Sequence, residues 1–402
     1  MIEIEEARRL VLEHVSPLPS ERVKLRASLG RVLAEDVASP EDVPAFDSSA
    51  MDGFAVRAAD SFGARRDSPV TLRIVDESRA GHPARRSLGA GQAIAISTGG
   101  VIPTGADAVV RVEETSPGDG LVEVLSEVET RRDIRYAGED IRGGDTVLQS
   151  GVRLGPAELG VLASSARSAV SCHRRPTVSI LTTGDELIEP EEALRPGAVR
   201  NSNAYSIPAL AERAGAKIAG VTAVPDDPDI TRAAIARTLE SDVAVICGGV
   251  SVGAHDHVKQ ALAALGVEEV FWGVALKPGR PTWFGTHQAG LVFGLPGNPV
   301  SAMVTFILLV RPALMALSGG QPERRRTTAW LDRDYEKSPG RAHAVRCRLE
   351  LREDGWHAQP AERHGSHILT SMLGADALAI IPAASGTVRA GERVEIELLG
   401  DG

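Results

Sequence analysis

Aromatic residues are scarce. Four tryptophans, three tyrosines and seven phenylalanines make up 3% of the 402 residues. Cores must therefore be packed by Val, Leu, Ile and Ala, and the chain lacks the stacking platform that single-stranded nucleic acid needs. Cysteine is equally rare: Cys172, Cys247 and Cys347 lie far apart with no CxxC pair, which argues against a zinc finger or a disulfide framework. Positive charge is in deficit, with 44 Lys and Arg against 54 Asp and Glu for a net charge of −10. Such a chain has no global attraction to nucleic acid or to an acidic membrane, so a bound anion must be met by a local cluster of donors. No apolar run is expected to reach the roughly 20 residues that span a bilayer. The charged, amphipathic start MIEIEEARRL does not read as a signal peptide. The cytoplasm is the expected compartment.

What is present is enough apolar material, 43%, for ordinary cores, and a length that suits two to four domains of about 100–200 residues. Residues 3–14 carry apolar positions at helical spacing, ended by Pro17 and Pro19. From 68 to 150 the pattern is short alternating strands cut by glycines, which predicts a β-rich module. A helix is expected at 156–167, with Pro156 in its first turn. From 174 to 318 strands (TVSILTT, KIAGVTAV, DVAVICGG, LVFGL) alternate with helical stretches, the signature of βαβ units on a largely parallel sheet. After the polar linker SGGQPERRR, the tail from 327 reads as short strands of a small barrel or sandwich.

In open α/β sheets, ligands bind beyond the carboxyl ends of the strands. Three strands of the 174–318 segment lead into glycine-bearing loops there: Thr182-Thr183-Gly184-Asp185-Glu186, Cys247-Gly248-Gly249-Val250-Ser251-Val252-Gly253 and Leu295-Pro296-Gly297-Asn298-Pro299, followed by Ser301. Small residues let backbone N–H groups approach a ligand, and a helix N-terminus favours an anion. Lys277-Pro278-Gly279-Arg280-Pro281 places two cations around a stiff turn, a candidate oxyanion or phosphate clamp. Carboxylates beside a phosphate site, here Asp185, Glu186 and Asp256, suit Mg²⁺. Asp226 and Asp227 also follow a strand and fit helix N-capping as well as metal binding. His255 and His257 have HxH spacing but lack a third clustered ligand. His364 and His367 are expected to pack at the surface or between domains. A second polar cluster lies in PAFDSSAMDGFAVR (44–57), STGGVIPTGADAVVRVEE (97–114) and RYAGEDIR (135–142). Within it, Met51 and Phe54 are expected on an exposed loop that docks against another surface.

Together these stretches, with TTGDEL, NSNAY, GGVSVGAHDHVK, KPGRP and GLPGNPVSA, occur in the order found in the molybdopterin molybdenumtransferase (molybdenum insertase) family, and the chain resembles that family, which includes the E domain of gephyrin. The resemblance implies a multidomain α/β protein. Its parts would be a helical linking domain (1–45 and 140–173), a β-rich inserted domain (46–139), a central three-layer α/β molybdopterin-binding domain (174–318) and a C-terminal β-barrel-like domain (319–402). It implies a Mg²⁺-assisted transfer of molybdate onto adenylylated molybdopterin with release of AMP. It further implies a homodimer whose active cleft is shared between subunits, with a molybdopterin adenylyltransferase and apo-molybdoenzymes as partners and neither nucleic acid nor membrane involved. Carried over by motif, Asp52, Thr98, Arg135 and Asp140 would line one side of the cleft. Glu186, Asp226 or Asp227, Asp256, Lys277 and Arg280 would line the other, with Glu186, Asp226, Asp227 and Asp256 as metal ligands. Thr183, Gly184, Asp185, Gly248, Gly249, Ser251, Gly253, Pro296, Gly297, Asn298, Pro299 and Ser301 would hold the molybdopterin. Arg280 stands where the family often has Lys, and MDGF replaces the commoner MDGY. Competing readings are an adenylyltransferase, a non-catalytic scaffold or molybdopterin-binding protein, and a tungstate-specific insertase.

Overall fold

A computed structural model of the chain describes residues 1–249, 257–288, 290–322 and 326–400. At its centre is a six-stranded sheet in the order Lys217–Val224, Thr177–Thr183, Val243–Cys247, Gly290–Leu295, Trp283–His287, Glu268–Trp272. The first four strands run parallel, the fifth antiparallel to them and the sixth antiparallel to the fifth. Side chains alternate between the faces of a strand, and both faces here are apolar. Ile180 and Val245 face the helix Asn203–Arg213 and the run Pro299–Leu317. Leu181, Ala244 and Ile246 face the helices Pro228–Thr238 and Val258–Ala264. That double burial makes three layers and explains the near-continuous Val/Ile content of these strands.

The run Pro299–Leu317 is longer and more apolar than the sequence reading allowed. Its mean hydropathy of 2.0 over a membrane-length window would suit a bilayer, yet 83% of that window is buried inside the fold. It is a core helix, packed with Ile4, Ala7 and Val11 of the N-terminal helix Ile4–Glu13. Residues Phe306–Val310 widen into a π turn just before Pro312. Proline has no N–H and its ring crowds the carbonyl four residues back, so the register loosens there.

The amino end of the central sheet is closed by Asp242. Its carboxylate takes hydrogen bonds from both Arg174 Nη atoms at 2.7 and 2.8 Å, from Thr177 N at 2.7 Å and from Thr177 Oγ1 at 2.6 Å. Burial pulls its carboxyl pKa up, but the Arg174 and Thr177 bonds outweigh that and hold the group down at about 2.

Before this domain, Ser20–Lys24 pairs antiparallel with Ala169–His173, and Val37–Ala38 with Thr146–Leu148. Between them an inserted six-stranded mixed sheet has the order Ala108–Arg111, Gly53–Val56, Gln92–Ile96, Val70–Ser78, Leu121–Val124, Thr115–Pro117. Gly53 is required there, since a Cβ would sit 1.9 Å from the Val110 carbonyl oxygen. Phe54 is 7% exposed and belongs to this domain's core, so the expected docking loop keeps only Met51, at 40%, on the surface. The strand Gly53–Val56 takes Phe54 inward by simple alternation.

After the central domain, Arg326–Leu331, Ala342–Arg352, Gly355–Pro360, Ala377–Ile381 and Arg393–Leu398 close into a five-stranded barrel, sealed by the pairing of Ala342–Arg352 with Ala377–Ile381. The barrel is tied to the rest by Glu397, 1% exposed, whose carboxylate meets Arg8 at 3.2 Å, Arg311 at 2.6 Å and Arg326 at 3.0 Å. Leu276–Lys277 also adds as a short parallel strand beside Ala342 and His343.

Candidate functional site

Four parallel strands deliver their carboxyl ends to one edge, and the chain turns there four times. Thr183, 7% exposed, donates from Oγ1 to Asp226 Oδ1 at 2.5 Å, which joins the first two turns. Asp226 N donates to Asp185 Oδ1 at 3.1 Å, and Gly184 N to the Val224 carbonyl at 3.2 Å. Gly248 N donates to the Leu295 carbonyl at 3.1 Å, which joins the third turn to the fourth. Gly248 has φ +96°, and a Cβ on it would lie 2.7 Å from the Thr183 carbonyl oxygen; one on Gly249 would lie 2.4 Å from Val258 Cγ2. These two glycines are therefore dictated by close approach. The fourth turn buries Pro296 and exposes Gly297 and Asn298, with Pro299 as the first residue of the helix and Ser301 buried in its first turn.

Asn203, which sequence reasoning did not select, belongs to this edge. Its Nδ2 donates to the Gly297 carbonyl at 2.8 Å, while its Oδ1 is buried without a hydrogen-bond partner among the described residues. A buried unpaired amide oxygen costs about 1–3 kcal/mol, and a ligand N–H or O–H at the Gly297 turn would recover it. The NSNAY motif carried the signal: polar residues at a helix start, where capping was not the whole story. Asn201 of the same motif donates from Nδ2 to Thr182 Oγ1 at 2.9 Å.

The carboxylates of the edge divide in two. Asp227 is the N-cap of Pro228–Thr238, its Oδ1 accepting from Asp229 N at 3.0 Å and Ile230 N at 2.9 Å. The capping reading of that residue is thus met, and its carboxylate is turned to its own helix. Asp185, Glu186 and Asp226 are exposed, and the Glu186 carboxylate folds back over Gly184 so closely that a Cβ there would be 2.5 Å from Glu186 Oε2. Among the described residues no group of three or more His, Cys, Asp or Glu side chains is placed to hold a metal ion by itself. The Asp185, Glu186 and Asp226 oxygens nevertheless match Mg²⁺ in chemistry, because that ion takes one or two protein carboxylates and completes its shell with phosphate and water. Ser251, Gly253, Asp256 and His255 lie outside the described residues.

Lys277 and Arg280 reach the same end of the sheet from its antiparallel side, since Trp283 pairs with Gly294. Three strand spacings, about 14 Å, separate their strand from Thr177–Thr183. Both cations are exposed and have no carboxylate partner among the described residues. They line a cavity of about 580 Å³ with Lys337, Arg341 and His343 of the C-terminal domain, Glu336 being the one acid in it. Burial, together with the positive charge of Lys277, Lys337 and Arg341, pushes His343 down to about 4. The residues of the TTGDEL turn do not line this cavity.

The second polar cluster assembles on the inserted domain. Thr98 N donates to Asp52 Oδ1 at 2.6 Å. Gly99 N donates to the Ser49 carbonyl at 2.8 Å, and Arg135 pairs in register with Ser48, so Asp52, Thr98 and Arg135 surround one two-residue strand. Asp140 sits apart, its N–H held by the Val43 carbonyl at 3.1 Å and its side chain exposed. Among the described residues no hydrogen bond or ion pair joins 46–139 to 174–318.

Three family models cover the chain in order: MoeA N-terminal region (domain I and II) at 2–166, probable molybdopterin binding domain at 179–316, and MoeA C-terminal region (domain IV) at 328–399. A protein of Haemophilus influenzae named molybdopterin molybdenumtransferase is 35% identical, the match covering 99% of this chain and 98% of that protein. A protein of the same name from Bacillus subtilis is also 35% identical, over 99% of this chain and 94% of its own length. The crystal structure of a molybdopterin biosynthesis MoeA protein from Pyrococcus horikoshii superposes with a TM-score of 0.83 at 32% identity, covering 99% of this chain and 100% of that one. On models that tile both ends and the centre, and on relatives matched over nearly their whole length, this chain belongs to the molybdopterin molybdenumtransferase (MoeA) family.

Proposed function

We propose that the chain is a molybdenum insertase, a transferase that places molybdate on adenylylated molybdopterin and releases AMP in molybdenum cofactor synthesis. Its family membership supports this, and the observation that carries it is the orphaned Asn203 Oδ1 beside the Gly297 turn, at the carboxyl-end edge of the parallel strands. The Pro296–Pro299 turn offers backbone groups whose positions two prolines fix, and Asn203 offers an acceptor for a pterin N–H. Lys277 and Arg280 supply charge for molybdate or the terminal phosphate. Their cavity sets the oxyanion apart from the acidic turns. Held by one or two of the Asp185, Glu186 and Asp226 carboxylates, Mg²⁺ would neutralise charge on the phosphoanhydride. Positioning and electrostatics then carry the step in which the P–O bond to AMP breaks.

The cluster of Asp52, Thr98, Arg135 and Asp140 completes this site from a second copy. The lack of any hydrogen bond or ion pair between 46–139 and 174–318 among the described residues favours a homodimer with a shared cleft. The donor of the substrate is then a molybdopterin adenylyltransferase and the acceptor of the product an apo-molybdoenzyme. A cytoplasmic setting suits three buried, unpaired cysteines.

The test is direct. Purified protein with adenylylated molybdopterin, molybdate and Mg²⁺ should release AMP and yield metal-loaded cofactor; binding without AMP release would refute the reading. A mixture of refolded Glu186→Ala and Asp52→Asn chains should recover about a quarter of wild-type activity, because heterodimers hold one intact cleft. No recovery would refute the shared cleft alone.

A further inference from the structure

Four arginines of the described structure are buried to 8% exposure or less, and they are not treated alike. Arg8 and Arg311 meet Glu397, and Arg31 meets Glu21. Arg346, the most buried at 1%, has no carboxylate partner among the described residues. Its Nε donates to Ser371 Oγ at 3.2 Å and its Nη2 to the Arg363 carbonyl at 3.4 Å, and no acceptor for Nη1 is found among the described residues. Burying a guanidinium against neutral acceptors is costly, and arginine does not escape by losing its proton. Burial does lower its pKa, in the direction of that cost.

Arg346 is not part of the barrel core. Val345, Cys347 and Leu349 point into that core, so Arg346 and Arg348 lie on the outer face of the strand Ala342–Arg352. Residues 361–375 help to cover Arg346 and supply both of its hydrogen-bond acceptors, Ser371 Oγ and the Arg363 carbonyl. Beneath that cover is a cavity of about 430 Å³, lined by Arg333, Arg346, Arg348 and Arg363 against a single acid, Glu362. Arg348 lies flat on Gly374, where φ is +68° and a Cβ would be 3.0 Å from Nη2. No carboxylate pairs with any of the four arginines among the described residues. In a chain of net charge −10, four guanidinium groups share one cavity with a single acid, and Arg346 is the buried one among them.

We propose that this barrel cavity is a second anion site, distinct from the strand edge, that takes a tetrahedral oxyanion either free or as the phosphate of a larger ligand. Arg346 forms the floor, and Arg348 and Arg363 close on the anion with the paired N–H geometry that guanidinium offers to phosphate. The hydroxyls of Thr370 and Ser371 stand in the same lining. The volume exceeds what one oxyanion fills and lies in the range of small-molecule sites.

The test is calorimetric titration of the full-length chain at low salt, with inorganic phosphate and with phenyl phosphate. The Lys277→Gln/Arg280→Gln variant serves as background, to silence the other basic cavity. Saturable binding should persist in that variant, and Arg348→Gln or Arg363→Gln added to it should weaken binding roughly tenfold or more each. Both replace rim residues, so folding is preserved where Arg346→Gln would risk it. Tighter binding of phenyl phosphate assigns the site to a phosphorylated small molecule, and equal binding assigns it to the free oxyanion. Absence of binding in the background variant, or binding indifferent to both rim substitutions, overturns the proposal.

Discussion

The two ends of the central sheet treat a carboxylate in opposite ways. At the amino end Asp242 has four hydrogen-bond donors on its two oxygens and a pKa of about 2. At the carboxyl end Glu186 has no side-chain partner among the described residues and Asp185 has one, the Asp226 N–H. A carboxylate that the fold has saturated holds the fold together, whereas one left open waits for something from outside. The contrast separates stability from function along a single strand length.

The strongest way to break this contrast is Glu186→Ala. AMP release should fall by at least about 10²–10³-fold, the loss expected of a key charge-stabilising group, with the unfolding midpoint unchanged; single-turnover AMP assays and urea titration check both halves. Normal turnover would sink the role of the open end. Lys277→Gln and Arg280→Gln come next, each about 2–4 kcal/mol of transition-state stabilisation. Raising molybdate should partly restore the rate, a signature that Glu186→Ala should lack. Asn203→Ala removes one hydrogen bond and one buried orphan, so pterin affinity should drop about tenfold, near the worth of one charge-free bond, with little change in kcat. Asp242→Asn should be the mildest for activity and the reverse in kind. Its carboxyl titrates near 3.8 unfolded and at about 2 folded. The stabilisation is therefore full above the unfolded value and is lost as pH falls through 3.8 toward 2. Denaturation at pH 7 should show the variant weaker by about 1–2 kcal/mol, and the difference should shrink at pH 3.

Much of the architecture was legible. The alternation of strand and helix from 174 to 318 marked the central layers, because three of the four parallel strands are near-continuous apolar runs set between stretches of helical spacing. The glycine-bearing turns were legible as a site because topology alone puts strand ends together. What escaped depended on contacts distant in sequence. Trp283–His287 was missed as a strand, since only its antiparallel neighbours Gly290–Leu295 and Glu268–Trp272 define it. Phe54 looked exposed amid turn formers, and Asn203 looked like ordinary helix-start chemistry. Arg346 reads in RCRLELRE as one more surface cation; a cover some 15–29 residues further on helps to bury it. A charge pattern tells which residues prefer water, and an overlying segment can overrule it.

Glu397 pairs with Arg8, 389 residues before it, and with Arg311, 86 residues before it in the apolar core helix. During synthesis those two guanidinium groups emerge long before their carboxylate does. Arg8 cannot be sealed in a dry interior at tolerable cost until the strand Arg393–Leu398 leaves the ribosome. The helix Ile4–Glu13, though made long before that strand, is accordingly locked in place after it, and a chain truncated before Glu397 should be recognised as unfinished by cellular quality control.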